Sequence, residues 1–169
     1  MRTILGALAL YLVSCAGSPA STPRAGPGAT SPDASRAAIA QVLDDWHDAA
    51  AHADEARYFG HFAPGGIFLG TDATERWDVG AFRVYAHPHF ARGKAWTFTP
   101  KDRHVTVAAG GTLAWFDEAL DTPHLGPARG SGVLVRDVRG DWAIAQYNLS
   151  VPIPNERFEE VKRVIALPR

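Results

Sequence analysis

Residues 113–151 read LAWFDEALDTPHLGPARGSGVLVRDVRGDWAIAQYNLSV, and this stretch decides the fold class. Apolar and polar side chains alternate through much of it with the period of two that is typical of half-buried strands. The pattern predicts strands over 113–120, 128–138 and 142–151. A loop containing Pro and Gly separates the first two strands, and a tight turn at 139–141 separates the last two. Successive strands with short connections predict an antiparallel meander.

The segments before the meander extend the predicted sheet. Period-two patterning at 94–99 and 103–108 indicates one long strand or two short ones. The pair Gly110-Gly111 then provides a hairpin signal that leads into the meander. A further short strand is expected at 67–69, which is bounded by Gly on both sides.

The N-terminal half has helical periodicity instead. Apolar residues at i, i+3, i+4 and i+7 spacing predict a helix over 35–53, and Ser31-Pro32 supplies an N-cap followed by Pro at the first helical position. Asp54 and Asp78 are placed to cap two shorter helices. About three helices followed by strands predict an α+β domain whose sheet is curved and covered on one face. A short C-terminal helix is expected from the spacing of Phe158, Val161, Val164 and Ile165.

Composition narrows the function classes. The chain has 169 residues, 46% hydrophobic and 21% charged, which is ordinary for a globular domain. A formal net charge of −1 gives no basic field that would favour nucleic acid. Cys15 is the one cysteine, so disulfides and Cys-based metal sites are excluded from the folded part. His87-Pro88-His89 lacks a following acidic ligand, so no metal and no cofactor is predicted.

The N-terminal residues have the pattern of a targeting signal. An apolar run at 4–13 follows the positive charge of Arg2. Ten residues are too few for a bilayer core, which requires about 20, but they fit the apolar region of a signal peptide. The motif Leu12-Val13-Ser14-Cys15 is similar to the lipobox, in which the cysteine is lipidated and becomes the first mature residue. An ordinary secretory signal peptide is the alternative.

The lipobox resemblance implies that Cys15 anchors the protein to a membrane through lipid, after removal of residues 1–14. Residues 15–34 are almost all Ala, Gly, Ser, Thr or Pro, which predicts a flexible tether. The folded domain then occupies 35–169. These features imply an extracytoplasmic location in the bacterial cell envelope. Ala16, where Asp would often signal inner-membrane retention, favours the periplasmic face of the outer membrane in a Gram-negative cell.

Six sequence blocks occur in order across about residues 36–155. The blocks are LDDWH (43–47), GTDATERW (70–77), GKAW (93–96), AWFDE (114–118), GSGVL (130–134) and QYNL (146–149). Together they resemble the SnoaL-like branch of the NTF2-like superfamily, which implies a cone of helices on a curved antiparallel sheet. The superfamily includes cyclases, isomerases, dehydratases, epoxide hydrolases and non-catalytic domains, so the fold does not select a reaction.

Three residues are candidates for acid–base catalysis. Asp117 and Glu118 are neighbours on one predicted strand and therefore point to opposite faces. The carboxyl group that faces the cone is expected to have a raised pKa and to serve as a general acid or base. His104, on the preceding strand, could work with one of these two carboxylates or could be structural. The alternative for either carboxylate is an ion pair with Arg103, Arg129 or Arg136.

Eight further residues are candidates for ligand binding. The segment 70–77 is expected to form a loop at the mouth of the cone, although its polar residues could equally stabilise the turn itself. Large aromatic rings can line a pocket or fill the core. The last strand could donate hydrogen bonds to a ligand from either face. The candidates are Trp46, Asp72, Glu75, Arg76, Trp77, Trp115, Tyr147 and Asn148.

These features favour a membrane-anchored lipoprotein whose domain binds a small, mainly apolar molecule without a cofactor. One alternative is a non-catalytic envelope module that forms a homodimer through its sheet or holds a partner. Another is a cofactor-independent acid–base enzyme of the isomerase, cyclase or dehydratase type. A large, partly polar cavity that converges on a carboxylate with a raised pKa would favour ligand binding, whereas a cone packed solid by Trp and Phe with an apolar outer sheet would favour the interaction module.

Overall fold

The computed structural model describes residues 31–167, so the predicted signal peptide, Cys15 and most of the predicted tether lie outside the described residues. Within 31–167, four α-helices accompany one six-stranded sheet with strand order β2-β1-β6-β5-β4-β3. The elements are α1 (Pro32–Ala51), α2 (Glu55–Gly60), β1 (Phe62–Leu69), β2 (Arg76–Asp78), α3 (Val79–Ala91), β3 (Thr99–Val107), β4 (Leu113–Thr122), β5 (Gly126–Arg136), β6 (Trp142–Ser150), a single 3₁₀ turn (Asn155–Arg157) and α4 (Phe158–Ile165).

The predicted α+β class, the meander from β3 to β6 and the short C-terminal helix are confirmed. The expectation of a wholly antiparallel sheet is wrong, because β1 pairs with β6 in parallel, with Phe68 opposite Tyr147. Parallel neighbours need a long connection, and here α3 and the entire meander provide it. The strand β2 is only three residues long and carries no periodicity that could predict it.

Capping residues start the helices where the sequence indicates. The Ser31 hydroxyl accepts a hydrogen bond from the Ala34 amide, so α1 begins at Pro32, within the stretch predicted as tether. Asp54 accepts from the Arg57 amide at the start of α2. Asp78 accepts from the Ala81 amide at the start of α3, at 2.8 Å. Each cap satisfies a helix amide that has no intrahelical partner.

Two bulges decide which side chains face the helices. In β3, Lys101 is opposite Ala119 but His104 is opposite Asp117, so β3 carries one extra residue there, beside Asp102 with φ 47°. In β6, Ile144 is opposite Leu134 and Gln146 is opposite Val133, so Ala145 is extra. A bulge reverses the alternation beyond it.

The helices pack on one face of the sheet, which we call the inner face. Its core is unusually aromatic and includes Trp46, Tyr58, Phe82 and Tyr147, each at most 1% exposed. The opposite, outer face is open to solvent and includes Leu113 and Trp115. Helix α4 buries none of its residues. None of the helices within 31–167 is long and apolar enough to cross a membrane.

Candidate functional site

A cavity of about 370 Å³ opens at one end of the inner face. It lies between α3, the β1–β2 turn, the segment before β3 and the β4–β5 loop. Cavities of this size are typical of small-molecule sites. Its wall is mainly apolar and includes six aromatic rings, those of Phe68, Trp77, Phe82, Tyr85, Trp96 and Phe98.

Several of these rings form a nearly parallel stack. Phe68 lies 3.9 Å from Phe82 between ring centroids, and Trp77 lies 4.6 Å from Tyr85. Trp77 also stacks on Phe82 at 5.7 Å. Offset stacking stabilises aromatic pairs by more than the burial of their apolar surface alone. The wall of the cavity is therefore a pre-formed apolar surface that is continuous with the core.

One carboxylate, that of Glu75, lines the cavity. Its Oε2 atom accepts a hydrogen bond from the Asp72 amide at 3.1 Å, and its backbone oxygen accepts from the Gly70 amide at 2.9 Å. A side chain at position 70 would collide with Glu75, so glycine is required there. The turn thus fixes the carboxylate at the mouth of the cavity.

The four candidates in the β1–β2 turn have separate roles. Glu75 and Trp77 line the cavity. The Asp72 carboxylate accepts from the Thr74 amide and hydroxyl, so it stabilises the turn. Arg76 is exposed and is not part of the cavity wall. The structure therefore brings half of this predicted loop site to the cavity.

Two histidines and Thr71 complete the polar part of the wall. His89 lies in the last turn of α3, and its Nδ1 atom is 3.1 Å from an Arg92 guanidinium nitrogen. Because a guanidinium can only donate, His89 accepts through Nδ1 and carries its hydrogen on Nε2. His124 comes from the β4–β5 loop. His87, two residues before His89, instead pairs with Glu55 at 2.8 Å.

The candidate catalytic residues do not converge on this cavity. Glu118 is on the inner face and fully buried, but it is not part of the cavity wall. Asp117 and His104 lie on the outer face, exposed, with 3.6 Å between Oδ2 and Nδ1. The sheet therefore separates Glu118 from His104, which lies beside Asp117 on the outer face.

Glu118 sits in a buried charge cluster. Its Oε1 atom lies 2.7 Å from His47 Nε2, and its Oε2 atom accepts from Arg103 Nε at 2.6 Å. Arg103 also donates to the Asp44 carboxylate at 2.7 Å and to the Ala40 carbonyl at 3.0 Å. The cluster ties α1 to β3 and β4, so the ion pair is the role that the structure gives to Glu118.

The expected rise in the Glu118 pKa is wrong in direction. Burial alone raises the pKa of this carboxyl group, because it disfavours the charged form. The hydrogen bond and charge of His47, together with those of Arg103, outweigh burial and hold the pKa below its ordinary value of 4.5. Glu118 is therefore an ion-paired carboxylate and not a poised general base.

The remaining candidates lie in the core or on the outer face. Trp46 is buried against Tyr147, with ring centroids 4.5 Å apart, and neither is part of the cavity wall. Burial raises the Tyr147 pKa well above 10, and the negative charge of Glu118 adds to the effect. Trp115 is exposed on the outer face, where Asn148 also points.

Sequence reasoning missed much of the wall. The α3 residues Phe82, Tyr85 and His89 share one face at helical spacing, which was an available signal. Trp96 and His124 lie in irregular segments whose position depends on tertiary packing, so no local pattern marks them. Within residues 31–167, no group of three or more His, Cys, Asp or Glu is arranged to hold a metal ion.

The fold and site define a class of protein: an α+β domain with helices over one face of a curved sheet and an aromatic cavity at its open end. The family model of the SnoaL-like domain matches residues 39–154, which is more than half of the chain. The chain belongs to this SnoaL-like family, as the six sequence blocks indicate. No curated protein matches the chain significantly in sequence.

Solved structures show the same NTF2-like fold. An NTF2-like protein of unknown function from Pseudomonas putida KT2440 is 16% identical, with a TM-score of 0.62 over 73% of this chain and 91% of that one. A provisionally assigned dehydratase of the NTF2-like family from Streptomyces avermitilis is 14% identical, with a TM-score of 0.61 over 73% and 100%. A provisionally assigned ketosteroid isomerase from Parabacteroides distasonis is 18% identical, with a TM-score of 0.55 over 69% and 86%.

Proposed function

We propose that this SnoaL-like domain binds a small, mainly apolar molecule in the aromatic cavity. The observation that carries the proposal is the cavity itself, about 370 Å³ with six aromatic rings in its wall. Apolar walls with a few placed polar groups are the usual composition of small-molecule sites. Glu75, His89 and His124 are the polar groups that would orient the ligand.

Tryptophan fluorescence tests this proposal, since Trp77 and Trp96 lie in the wall. Titration of the purified protein with a panel of small aromatic and alicyclic compounds should give saturable quenching. Ala95→Phe should abolish the response, because Ala95 lines the cavity and a larger side chain fills it. The matched control Ala119→Phe places the same ring on the exposed outer face and should leave binding unchanged. Absence of any saturable binding, or full binding by Ala95→Phe, would contradict the proposal.

A cofactor-independent acid–base enzyme is the second candidate. It is favoured by the presence of a carboxylate and two imidazoles in one cavity wall, the groups that move protons in such enzymes. The fold relatives provisionally assigned as dehydratase and isomerase are consistent with it. Proton exchange of small ketones in D₂O, followed by NMR, would detect abstraction. Glu75→Gln should stop exchange, and equal exchange by this variant would reject Glu75 as the base.

Anchoring to the cell envelope is a separate proposal and rests on the lipobox-like motif that ends at Cys15. A Cys15→Ser variant should leave the membrane fraction and lose the mass of the attached lipid. The matched change Ser14→Ala keeps the cysteine and should remain membrane-bound. If Cys15→Ser stays bound with unchanged processing, the protein is not a lipoprotein of this kind.

The non-catalytic interaction module is favoured by one observation, the exposure of Leu113 and Trp115 on the outer face. A homodimer formed through this face would cover both side chains. Trp115→Ser should then convert a dimer to a monomer in light scattering after gel filtration. A protein that is monomeric before the substitution would exclude this arrangement.

A further inference from the structure

We propose that the ligand of the cavity is an organic cation, an aromatic or alicyclic amine or quaternary ammonium compound whose charged head lies beside Glu75. This inference rests on the proposed ligand-binding function and specifies its chemistry. The location is the mouth of the cavity, where the β1–β2 turn faces α3.

The charge of the cavity wall favours a cation. Among residues 31–167, Glu75 is the one acidic residue that lines the cavity, and no Lys or Arg of that range lines it. The cavity therefore has a carboxylate and no lysine or arginine to balance it. Because apolar walls lower the local dielectric, this charge attracts a cation and repels an anion more strongly than it would in water.

The Glu75 carboxylate is held in a fixed position. The Asp72 amide holds Oε2, and the absence of a side chain at Gly70 makes room for Glu75. That hydrogen bond engages only Oε2, which leaves Oε1 outside the contacts that build the turn. A group held in this way loses little conformational entropy when it pairs with a ligand.

Aromatic rings line the cavity together with the Glu75 carboxylate. Trp77 follows Glu75 by two residues and stacks on Tyr85, and Trp96 lies across the same cavity. Aromatic rings attract ammonium groups through their quadrupoles and also pack well against apolar bodies. The combination of one carboxylate with several rings matches a molecule that is apolar over most of its surface and cationic at one end.

A matched series of probes tests the inference. Phenyltrimethylammonium and tert-butylbenzene have the same shape and differ by one positive charge, and benzenesulfonate supplies the opposite charge. Their affinities are measured on the purified protein by tryptophan fluorescence at low ionic strength. We expect the cation to bind at least about tenfold more tightly than tert-butylbenzene. A carboxylate and a cation in direct contact beside apolar walls attract each other by that factor or more. The anion should bind most weakly.

Substitutions locate the charge that is responsible. Glu75→Gln should bring the affinity for the cation to within about twofold of that for tert-butylbenzene, because it removes the charge and keeps the shape. Its unchanged affinity for tert-butylbenzene would show that the cavity is intact. Glu156→Gln removes an exposed carboxylate outside the cavity and should keep the full preference for the cation.

The outcomes separate this inference from the function on which it rests. Equal or tighter binding of tert-butylbenzene by the unsubstituted protein would overturn the cationic ligand but leave the apolar site standing. Persistence of the preference in Glu75→Gln would also overturn it. If none of the three probes binds, both the inference and the proposed function fail.

Discussion

Arg103 donates its Nε hydrogen to the Oε2 atom of Glu118 at 2.6 Å, at the point where β3 carries one residue more than β4. Without the extra residue, the ladder would continue from the Lys101–Ala119 pair and place Arg103 opposite Asp117. Arg103 would then lie on the outer face, away from Glu118. His47, from α1, holds the other carboxylate oxygen. One bulge thus allows a helix and two strands to share a buried charge cluster, whose role is to position α1 over the sheet.

Loss of the Glu118 charge should destabilise the protein. Glu118→Gln leaves Arg103 with the exposed Asp44 carboxylate as its remaining counter-charge, and we expect the free energy of unfolding to fall by about 3 kcal/mol. Urea denaturation measures the change. Asp117→Asn is the matched control on the same strand, and because Asp117 is exposed its removal should cost less than about 0.5 kcal/mol. Equal costs for the two variants would contradict the buried cluster.

The same cluster predicts a pH dependence of stability. The Glu118 pKa in the folded state lies below 4.5, whereas the unfolded chain has an ordinary glutamate. A depressed folded pKa stabilises the protein fully above the unfolded value, and this contribution is lost as the pH falls through the folded value. Thermal unfolding between pH 7 and pH 3 should show a steep decline below about pH 4.5, and Glu118→Gln should flatten that part of the profile.

The β3 bulge should tolerate only some residues at position 102. Asp102 has φ 47°, a left-handed conformation that Asp and Gly adopt but β-branched residues avoid. Asp102→Val should therefore reduce the free energy of unfolding by about 1–2 kcal/mol, whereas Asp102→Gly should change it by about 0.5 kcal/mol or less. Urea midpoints of the two variants provide the comparison. A harmless Asp102→Val would mean that the bulge is not strained.

Gly130 should be coupled to Tyr147. A Cβ atom at position 130 would collide with the Tyr147 hydroxyl and lie 3.1 Å from Glu118 Oε1. We expect Gly130→Ala to cost about 1–3 kcal/mol through overpacking. Tyr147→Phe should cost little, because its hydroxyl has no hydrogen-bond partner among residues 31–167. The double variant should recover about 1 kcal/mol relative to the sum of the single changes. Strict additivity in the double-mutant cycle would refute the contact.

The N-cap of α3 should stabilise the helix that carries part of the cavity wall. Asp78→Ala removes the acceptor for the Ala81 amide and should cost about 1 kcal/mol of unfolding free energy. Asp78→Asn retains an acceptor and should cost only a few tenths of that amount. Hydrogen exchange of the first-turn amides of α3 locates the effect. If Ala and Asn behave alike, the side-chain cap contributes nothing.

Local sequence signals predicted the elements better than the site. Ser31, Asp54 and Asp78 cap the helices that their positions indicate, because capping depends on the few residues around each end. In the site, Glu75 and Trp77 line the cavity, since a short turn between two strands fixes them, and their role in ligand binding stays a prediction. Alternation fixes which residues share a face but not which face is covered, so it could not show that Glu118 and not Asp117 lies under the helices.

The sequence by itself determined the α+β class, the meander from β3 to β6 and the SnoaL-like family, because periodicity and turn chemistry act over a few residues. Only the tertiary structure decided that β1 runs parallel to β6, since that pairing joins segments separated by the whole meander. It also decided that Glu118 is ion-paired and that Glu75 faces the cavity. Those outcomes depend on bulges and on loops from distant parts of the chain. Tertiary packing brings these segments into contact, and local sequence does not specify it.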